Sequence, residues 1–161
     1  MKKMLFLMGT TALILGAVEA RAETAQGDAQ VEVVSLVTVT HNSGAKLNFG
    51  SVYAKADNVV TVSPAGVKTA GEAFGTPTAD AFTVRGPSGA QVTVTLDNSA
   101  SLTKTGDNTK VLTVTLTPSW SEPIELSGSD VNITVGGTLN GVSSDTTPGT
   151  YSGHYNVTYT Y

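Results

Sequence analysis

The sequence predicts an all-β protein, a sandwich of seven to eight short antiparallel strands. After residue 22, threonine, valine, glycine and serine dominate, and this composition favours strands and turns. Short runs in which apolar and polar residues alternate are separated by glycine, proline, asparagine and aspartate. No stretch after residue 22 shows the sustained apolar period of about 3.6 residues that marks a helix. Short alternating strands between turn signals are typical of a β-sandwich.

The first 22 residues have the pattern of a secretory signal peptide. Two lysines give a positive start before an apolar, uncharged run over residues 4–18. Small residues then stand at the positions that a signal peptidase reads. The sequence therefore predicts cleavage between Ala22 and Glu23, with cleavage after Ala20 as the second option. The alternative is a membrane anchor, but a run of about fifteen residues is shorter than the ~20 that a spanning helix needs.

Charge and cysteine content argue against several classes of function. The chain has 9 basic and 13 acidic residues. Three basic residues and one acidic residue lie within residues 1–22, so the remainder carries a net charge of −6. A basic face for nucleic acid is therefore not expected. The chain has no cysteine, so the predicted secreted domain must rely on its apolar core and sheets instead of disulfides. We expect no stable membrane insertion after signal cleavage, because no later run is long and apolar enough for a spanning helix.

The predicted mature chain begins with two extended segments separated by a break. Over residues 25–33, small or apolar residues alternate with polar ones. The phase of the alternation then shifts twice within a few residues, and each one-residue shift turns every side chain to the other face. We therefore predict an N-terminal extension over residues 23–35 and a domain over residues 36–161, whose first strand lies at about 36–41.

Further strands are expected where apolar alternation or β-branched runs lie between turn signals. Gly136 and Gly137 predict a bulge or a close backbone approach, and the Asn140-Gly141 pair predicts a turn. The predicted loops are residues 72–78, 97–109 and 119–130. The predicted strands are residues 47–52, 59–62, 81–85, 90–96, 111–116, 131–135 with a continuation at 138–139, and the final stretch, and residues 67–71 form a brief and weakly patterned stretch.

The final stretch, residues 149–161, is the clearest strand in the sequence. Its even positions are all polar, whereas most of its odd positions are aromatic or aliphatic. We expect the odd face to form a wall of the core, with a sugar-stacking platform as the alternative. The odd positions are Tyr151, Gly153, Tyr155, Val157, Tyr159 and Tyr161.

The sequence contains no recognisable catalytic or metal-binding motif. Its two histidines, His41 and His154, lack the spacing of a zinc site, and no nucleophile motif or phosphate-binding loop is present. The carboxylates Asp97 and Asp107 are interpreted as turn and surface residues, with a glycosidase pair as the alternative. Trp120, in a predicted loop, is expected to plug one end of the core. We expect no enzyme activity, no cofactor and no bound metal.

Several short motifs resemble one family of secreted bacterial domains. They are Leu47-Asn-Phe-Gly50, Ala81-Phe-Thr-Val-Arg-Gly86, Val135-Gly-Gly-Thr-Leu139 and the Gly-x-Tyr-x-Gly-x-Tyr-x-Val-x-Tyr pattern that begins at Gly149. In this order and spacing, and over residues 25–161, the chain resembles the family of domain of unknown function 4402. That family is similar to the subunits of chaperone–usher fimbriae.

The resemblance implies an immunoglobulin-like, pilin-type sandwich that lacks its last strand and is completed by a donor strand. It also implies partners: a periplasmic chaperone, an outer-membrane usher, and other copies of the chain in a homopolymer. The N-terminal extension of one copy would insert beside the C-terminal strand of the next. The chain would pass through the periplasm to a fimbria on the surface of a Gram-negative bacterium, with a role in cell adhesion. The implied donor residues are Ala25, Gly27, Ala29, Val31 and Val33, and the implied acceptor residues are the odd positions of the final stretch.

The chain departs from the best-known type 1 and P fimbrial subunits in two ways. It lacks the cysteines of their disulfide, and it ends in Tyr161 instead of carrying a tyrosine one place before the end. Two other functions stay open. The first is a self-complete secreted β-sandwich that acts as an adhesin or a carbohydrate-binding module. The second is a small outer-membrane β-barrel, but most predicted strands are shorter than the ~9–11 residues that such strands need.

Overall fold

The computed structural model describes residues 23–33 and 36–161, and this part of the chain contains thirteen β-strands and no helix. All strand pairs are antiparallel, so the predicted all-β class is confirmed. The predicted signal peptide, its cleavage position after Ala22 and residues 34–35 of the predicted extension lie outside the described residues. Residues 23–33 form no strand and are exposed, and a separate compact unit begins at Val33. No described residue belongs to a helix that could cross a membrane.

Most of the strands are short, and only the two that lie side by side in the middle of the larger sheet reach twelve residues. The first seven strands are β1 (Thr38–His41), β2 (Ser51–Val52), β3 (Asn58–Val62), β4 (Lys68–Ala70), β5 (Ala73–Phe74), β6 (Asp80–Arg85) and β7 (Gln91–Leu96). The other six are β8 (Ser99–Lys104), β9 (Asp107–Pro118), β10 (Ile124–Glu125), β11 (Val131–Val142), β12 (Tyr151–Ser152) and β13 (Val157–Thr160).

The larger sheet is built around β11. Its order is β1-β6-β11-β9-β8-β12, and β3 and β4 extend it next to the second half of β11. Strands β6 and β3 therefore pair with successive halves of one edge of β11. The partner of this edge changes from β6 to β3 at Gly136, where an added Cβ would lie 2.5 Å from the backbone of Ser63. The predicted close backbone approach at this glycine is confirmed, because only a residue without a side chain fits there.

A smaller sheet and a separate strand pair complete a sandwich-like fold. The smaller sheet has the order β10-β7-β13, and β2 pairs with β5. Two clusters of buried apolar side chains form the core, one mainly from β3, β8, β9 and β11, and the other mainly from β6, β7 and β11. Valine dominates both clusters, in line with the preference of β-branched residues for strands. Full burial of one valine contributes about 1.5–3 kcal/mol, so each cluster is a substantial source of stability.

Several strands occur where loops were predicted. Strand β8 lies inside the polar stretch 97–109, β10 inside 119–130 and β5 inside 72–78. The predicted turn at Asn140-Gly141 is also wrong, because β11 continues through it and the register with β3 shifts between Leu139 and Val142. Pairing with long neighbouring strands overrides the local turn preference of these polar residues. For this reason the described chain has more strands than the seven to eight predicted.

The prediction of one continuous final strand is also wrong. Residues 149–161 contain β12, which pairs with β8 in the larger sheet, and β13, which pairs with β7 in the smaller sheet. Between them, an added Cβ on Gly153 would lie 2.0 Å from the carbonyl oxygen of Ser101. Asn156 then donates from its backbone and its side-chain amide to the carboxylate of Asp97. The chain thus crosses from one sheet to the other, as strands do at the corners of sandwiches.

Candidate functional site

Strand β13 presents an unpaired edge. In the described part of the chain it pairs with β7 alone. The backbone amide of Asp97 donates to the carbonyl of Asn156, so alternate residues from Asn156 onward direct their backbone groups toward β7. The backbone groups of Val157 and Tyr159 consequently point to the other side. Such an edge is a template for pairing with a further strand.

Strand β1 presents a second unpaired edge, at the border of the larger sheet. Among the described strands it pairs only with β6, and the amide of Asn42, just after it, donates to the carbonyl of Ala81 at 2.9 Å. By the same alternation, the backbone groups of Val39 and His41 point away from β6. Each sheet of the sandwich therefore ends in an open strand.

A cavity of about 370 Å³ opens between the end of β1 and the segment that precedes β13. We call the cavity, together with the adjoining edges of β1 and β13, the β1–β13 groove. The floor of the cavity is apolar and comes mainly from the inner faces of β6, β8 and β9. The rim is polar and includes His41, Lys46, Asp80, His154 and Tyr155. The apolar floor residues are Leu47, Phe49, Phe82, Ala100, Leu102, Val114 and Leu116.

A buried carboxylate joins the two sides of the groove at this end. Asp80, at the start of β6, is 6% exposed. Its Oδ1 forms a 2.7 Å hydrogen bond with Nε2 of His41 and accepts a second bond from the amide of Ala81 at 2.8 Å. Its Oδ2 accepts a 2.6 Å bond from the hydroxyl of Tyr155. Phe82 lies between the rings, with its centroid 4.9 Å from that of His41 and 6.5 Å from that of Tyr155.

The same contacts alter the acidity of Tyr155. Burial raises the pKa of its hydroxyl far above the ordinary value, and the hydrogen bond and negative charge of Asp80 raise it further. Tyr155 therefore remains a neutral hydrogen-bond donor to Asp80 over the physiological pH range. This bond links the 153–156 segment to the start of β6.

Tyr159 on β13 faces inward and is nevertheless exposed, as is Tyr161 just beyond the end of this strand. Tyr159 lies opposite the buried Val94 on β7, so its side chain shares the inner face of the smaller sheet. It is 38% exposed, and Tyr161 is 68% exposed. Their rings are nearly parallel, with centroids 6.3 Å apart. Inner-face side chains stay exposed here because no described strand covers this edge of β13.

The family model with the description Domain of unknown function (DUF4402) matches residues 37–161. The chain belongs to this family. The match in this DUF4402 protein starts one residue before β1 and ends at the last residue, so it includes both edges of the groove. No curated protein and no solved structure matches the chain.

The predicted acceptor residues of the DUF4402 domain have different environments. Tyr151, Tyr155 and Val157 are half-buried, and all the even positions of residues 149–161 are exposed, as the alternation predicts. The expected burial is wrong for Tyr159 and Tyr161, because the sandwich is open beside them. It is also wrong for Gly153, which is exposed at the crossing between the two sheets.

The predicted donor residues of the DUF4402 protein lie together in residues 23–33. Val31 and Val33, the two large side chains among them, are 83% and 88% exposed. The smaller members, Ala25, Gly27 and Ala29, are exposed as well. All five are therefore available to a partner in the described structure.

Several residues of the groove were not singled out by the sequence pattern. Ala100 and Leu102 alternate within a stretch of serine and threonine, and this weak signal was the only indication of β8. Asp80 and Lys46 had no signal at all, because their importance depends on neighbours far away in the chain. Trp120 is half-buried against both core clusters and donates from Nε1 to the carbonyl of Val94 at 2.9 Å, so its predicted role in the core is confirmed.

Proposed function

We propose that the protein is a structural subunit of a bacterial surface fimbria, assembled by donor-strand exchange. Residues 23–33 of one copy insert into the β1–β13 groove of the next copy and add a strand beside β13. The observation that carries this proposal is the unpaired edge of β13, where the inner-face side chain of Tyr159 is exposed, together with the apolar cavity beside the segment that precedes this strand. An edge of this kind is a liability unless a partner strand occupies it.

The backbone of the groove suits strand addition. The N–H and C=O groups of Val157 and Tyr159 face away from β7 and offer the first bonds of a new ladder. Each such bond adds about 0.5–1.5 kcal/mol in net terms. In strand addition the backbone supplies affinity and alternate side chains fill pockets. The occupant therefore needs an extended segment with apolar residues at every second position.

Residues 23–33 meet this requirement. They form no strand of their own, and their odd positions are small or apolar. Val31 and Val33 are the two members large enough to fill the apolar cavity. Complete burial of each contributes about 1.5–3 kcal/mol, whereas Gly27 contributes little. The C-terminal part of the segment thus supplies most of the side-chain contribution to binding.

The proposed function includes export and two assembly partners. The predicted signal peptide directs the chain to the periplasm. A chain with an open apolar groove would aggregate there, so a periplasmic chaperone that covers the groove and an outer-membrane usher that orders the exchange are the expected partners. The mature chain polymerises with copies of itself on the cell surface and acts in adhesion without enzyme activity or a cofactor.

A second candidate function is a self-complete adhesin or carbohydrate-binding module. The nearly parallel rings of Tyr159 and Tyr161 favour it, since exposed aromatic faces can stack on sugars. In this case Tyr161→Ala would abolish binding of cells or glycans, and the protein would remain monomeric with or without residues 23–33. A fibre that survives Tyr161→Ala and is lost with the N-terminal segment favours the fimbrial function.

Deletion of residues 27–33 tests the fimbrial function directly. The deletion leaves four residues after the predicted cleavage position, so export can proceed. We expect the exported variant to stay monomeric in sedimentation and to form no fibres in electron microscopy, whereas the complete chain forms multimers. A deletion variant that still polymerises would contradict donor-strand exchange through this segment.

A further inference from the structure

We propose that an ion pair between Glu32 of the incoming segment and Lys46 of the receiving copy sets the register of insertion. This inference rests on the proposed function. It places Val31 and Val33 of one copy over the apolar floor of the cavity in the next copy, with Glu32 directed to the rim. The occupant of the groove is thus a second copy of this chain, held in one position by charge.

The rim of the cavity has a positive charge without a partner. Three of its polar residues, His41, Lys46 and His154, are basic, and among the residues that the structure describes Asp80 is the only carboxylate that lines the cavity. Both oxygens of Asp80 already accept hydrogen bonds, from His41, the amide of Ala81 and Tyr155. Within the described residues, no carboxylate lies within ion-pair distance of Lys46, which is exposed.

The donor segment has the opposite charge. Residues 23–33 contain Glu23, Asp28 and Glu32 and neither lysine nor arginine, so their net charge is −3. This complementarity is local to Lys46, because residues 36–161 as a whole also carry a net charge of −3, and it favours an acidic side chain beside that lysine. It also favours a copy of this chain over an occupant that is neutral or basic.

The alternation of the segment selects Glu32 from its three acidic residues. Glu32 stands between the two large apolar residues, Val31 and Val33, and its side chain points to the opposite face of an extended strand. When the valines cover the cavity floor, Glu32 faces outward at the rim. Asp28 has the same parity but lies four residues away, or roughly 13 Å along a strand, and cannot replace Glu32 in that register.

A charge exchange tests the pair. Every copy carries both residues, so Lys46→Glu or Glu32→Lys alone places like charges together at every junction. The double variant restores an opposite pair at every junction. We expect each single variant to slow the formation of multimers by about tenfold at low salt, and the double variant to recover the wild-type rate. At high salt the differences should largely disappear, because screening weakens exposed charges.

Two matched controls isolate the effect of position. Lys110→Glu changes the same charge on the exposed part of β9, outside the lining of the cavity, and Asp28→Lys makes the same change of charge as Glu32→Lys four residues earlier on the same face of the segment. Both should assemble within about twofold of the wild-type rate, since neither charge lies at the proposed pair. Thermal unfolding of each monomer establishes that the variants fold equally well.

The possible outcomes separate this inference from the proposed function. If both single variants assemble at the wild-type rate while deletion of residues 27–33 abolishes assembly, the ion pair is wrong and donor exchange stands. If the single variants are slow and the double variant is equally slow, the pairing of these two residues is also wrong. If the deletion variant polymerises, or if a different polypeptide fills the groove in purified fibres, both proposals fail.

Discussion

Asp80 shows how one buried carboxylate can organise an open site. It is nearly inaccessible to solvent, yet three donors from β1, its own strand and the 153–156 segment satisfy its two oxygens. Burying a charge without such partners would cost several kcal/mol. The bonds from His41 and Tyr155 therefore hold the two sides of the groove next to one another while leaving the apolar floor uncovered.

Removal of the Tyr155 hydroxyl tests this arrangement. Tyr155→Phe leaves Oδ2 of Asp80 without its donor in a buried position, so we expect the free energy of unfolding at neutral pH to fall by about 1–3 kcal/mol. Chemical denaturation of the exported protein measures the change. Tyr161→Phe is the matched control, because its ring is exposed, and this variant should match the wild type.

The raised pKa of Tyr155 predicts a loss of stability at alkaline pH. An unfolded tyrosine loses its proton near pH ~10, whereas folded Tyr155 keeps it to higher pH. A group with a raised folded pKa contributes stability that is complete below the unfolded pKa and is lost as the pH rises beyond it. Wild-type stability should thus decline above pH ~10, and Tyr155→Phe should decline less steeply. Denaturation curves at several alkaline pH values measure this decline in stability. If stability falls equally steeply with pH in the two proteins, the prediction is wrong.

At the scale of elements, the division of the final stretch into β12 and β13 determines the geometry of the candidate site. The crossing at residues 153–156 moves the chain from the larger to the smaller sheet. It brings Tyr155 to Asp80 and directs the unpaired edge of β13 outward. A single straight strand would have stayed in one sheet, and the cavity between the sheets would have no wall on this side.

Gly153→Ala tests the crossing. The added methyl group would lie 2.0 Å from the carbonyl oxygen of Ser101, so the backbone would have to shift directly beside the pairing of β12 with β8. We expect a loss of about 3 kcal/mol or more in the free energy of unfolding. Ser152→Ala, one position earlier and exposed, should be nearly neutral. A Gly153→Ala protein as stable as that control would show that the crossing tolerates a side chain.

At the scale of the whole molecule, two sheets close around two apolar clusters and leave one side open. The open side has an edge from each sheet, β1 and β13, and an apolar cavity between the end of β1 and the segment that precedes β13. A segment with suitable alternation, residues 23–33, is exposed in the same chain. Under the proposed donor-strand exchange, a molecule with both parts would form a continuous polymer, because each copy would receive one segment and offer another.

The parity of the N-terminal segment can be tested on assembly. Val31→Asp puts a charge on the face that would meet the apolar floor, so we expect it to abolish multimers. Gln30→Asp adds the same charge on the opposite face and should assemble like the wild type, apart from a small effect of charge. Sedimentation of both exported proteins provides the comparison. Equal loss in the two variants would show that only net charge matters.

Local sequence patterns predicted the strands whose side chains alternate clearly between apolar and polar. They failed for strands that are extended only because they pair with a neighbouring strand. Strand β7, with Val92 and Val94 buried on one face, lies almost where its alternation placed it. Strand β8 was missed because serine and threonine occupy half of its positions, and its inward residues, Ala100 and Leu102, are few. Its extended form results from the ladder with β9, which no local pattern records.

The features of the candidate site also fall into those that the sequence predicts and those that only the structure shows. From the sequence by itself came the all-β class, the alternation of residues 25–33 and the face on which each side chain of the final stretch lies. Only the tertiary structure decided that this stretch crosses between sheets, that Tyr159 and Tyr161 are uncovered, and that Asp80 links His41 to Tyr155. The physical reason is that alternation is a property of the extended backbone, whereas the presence or absence of a neighbouring strand depends on residues far away in the chain.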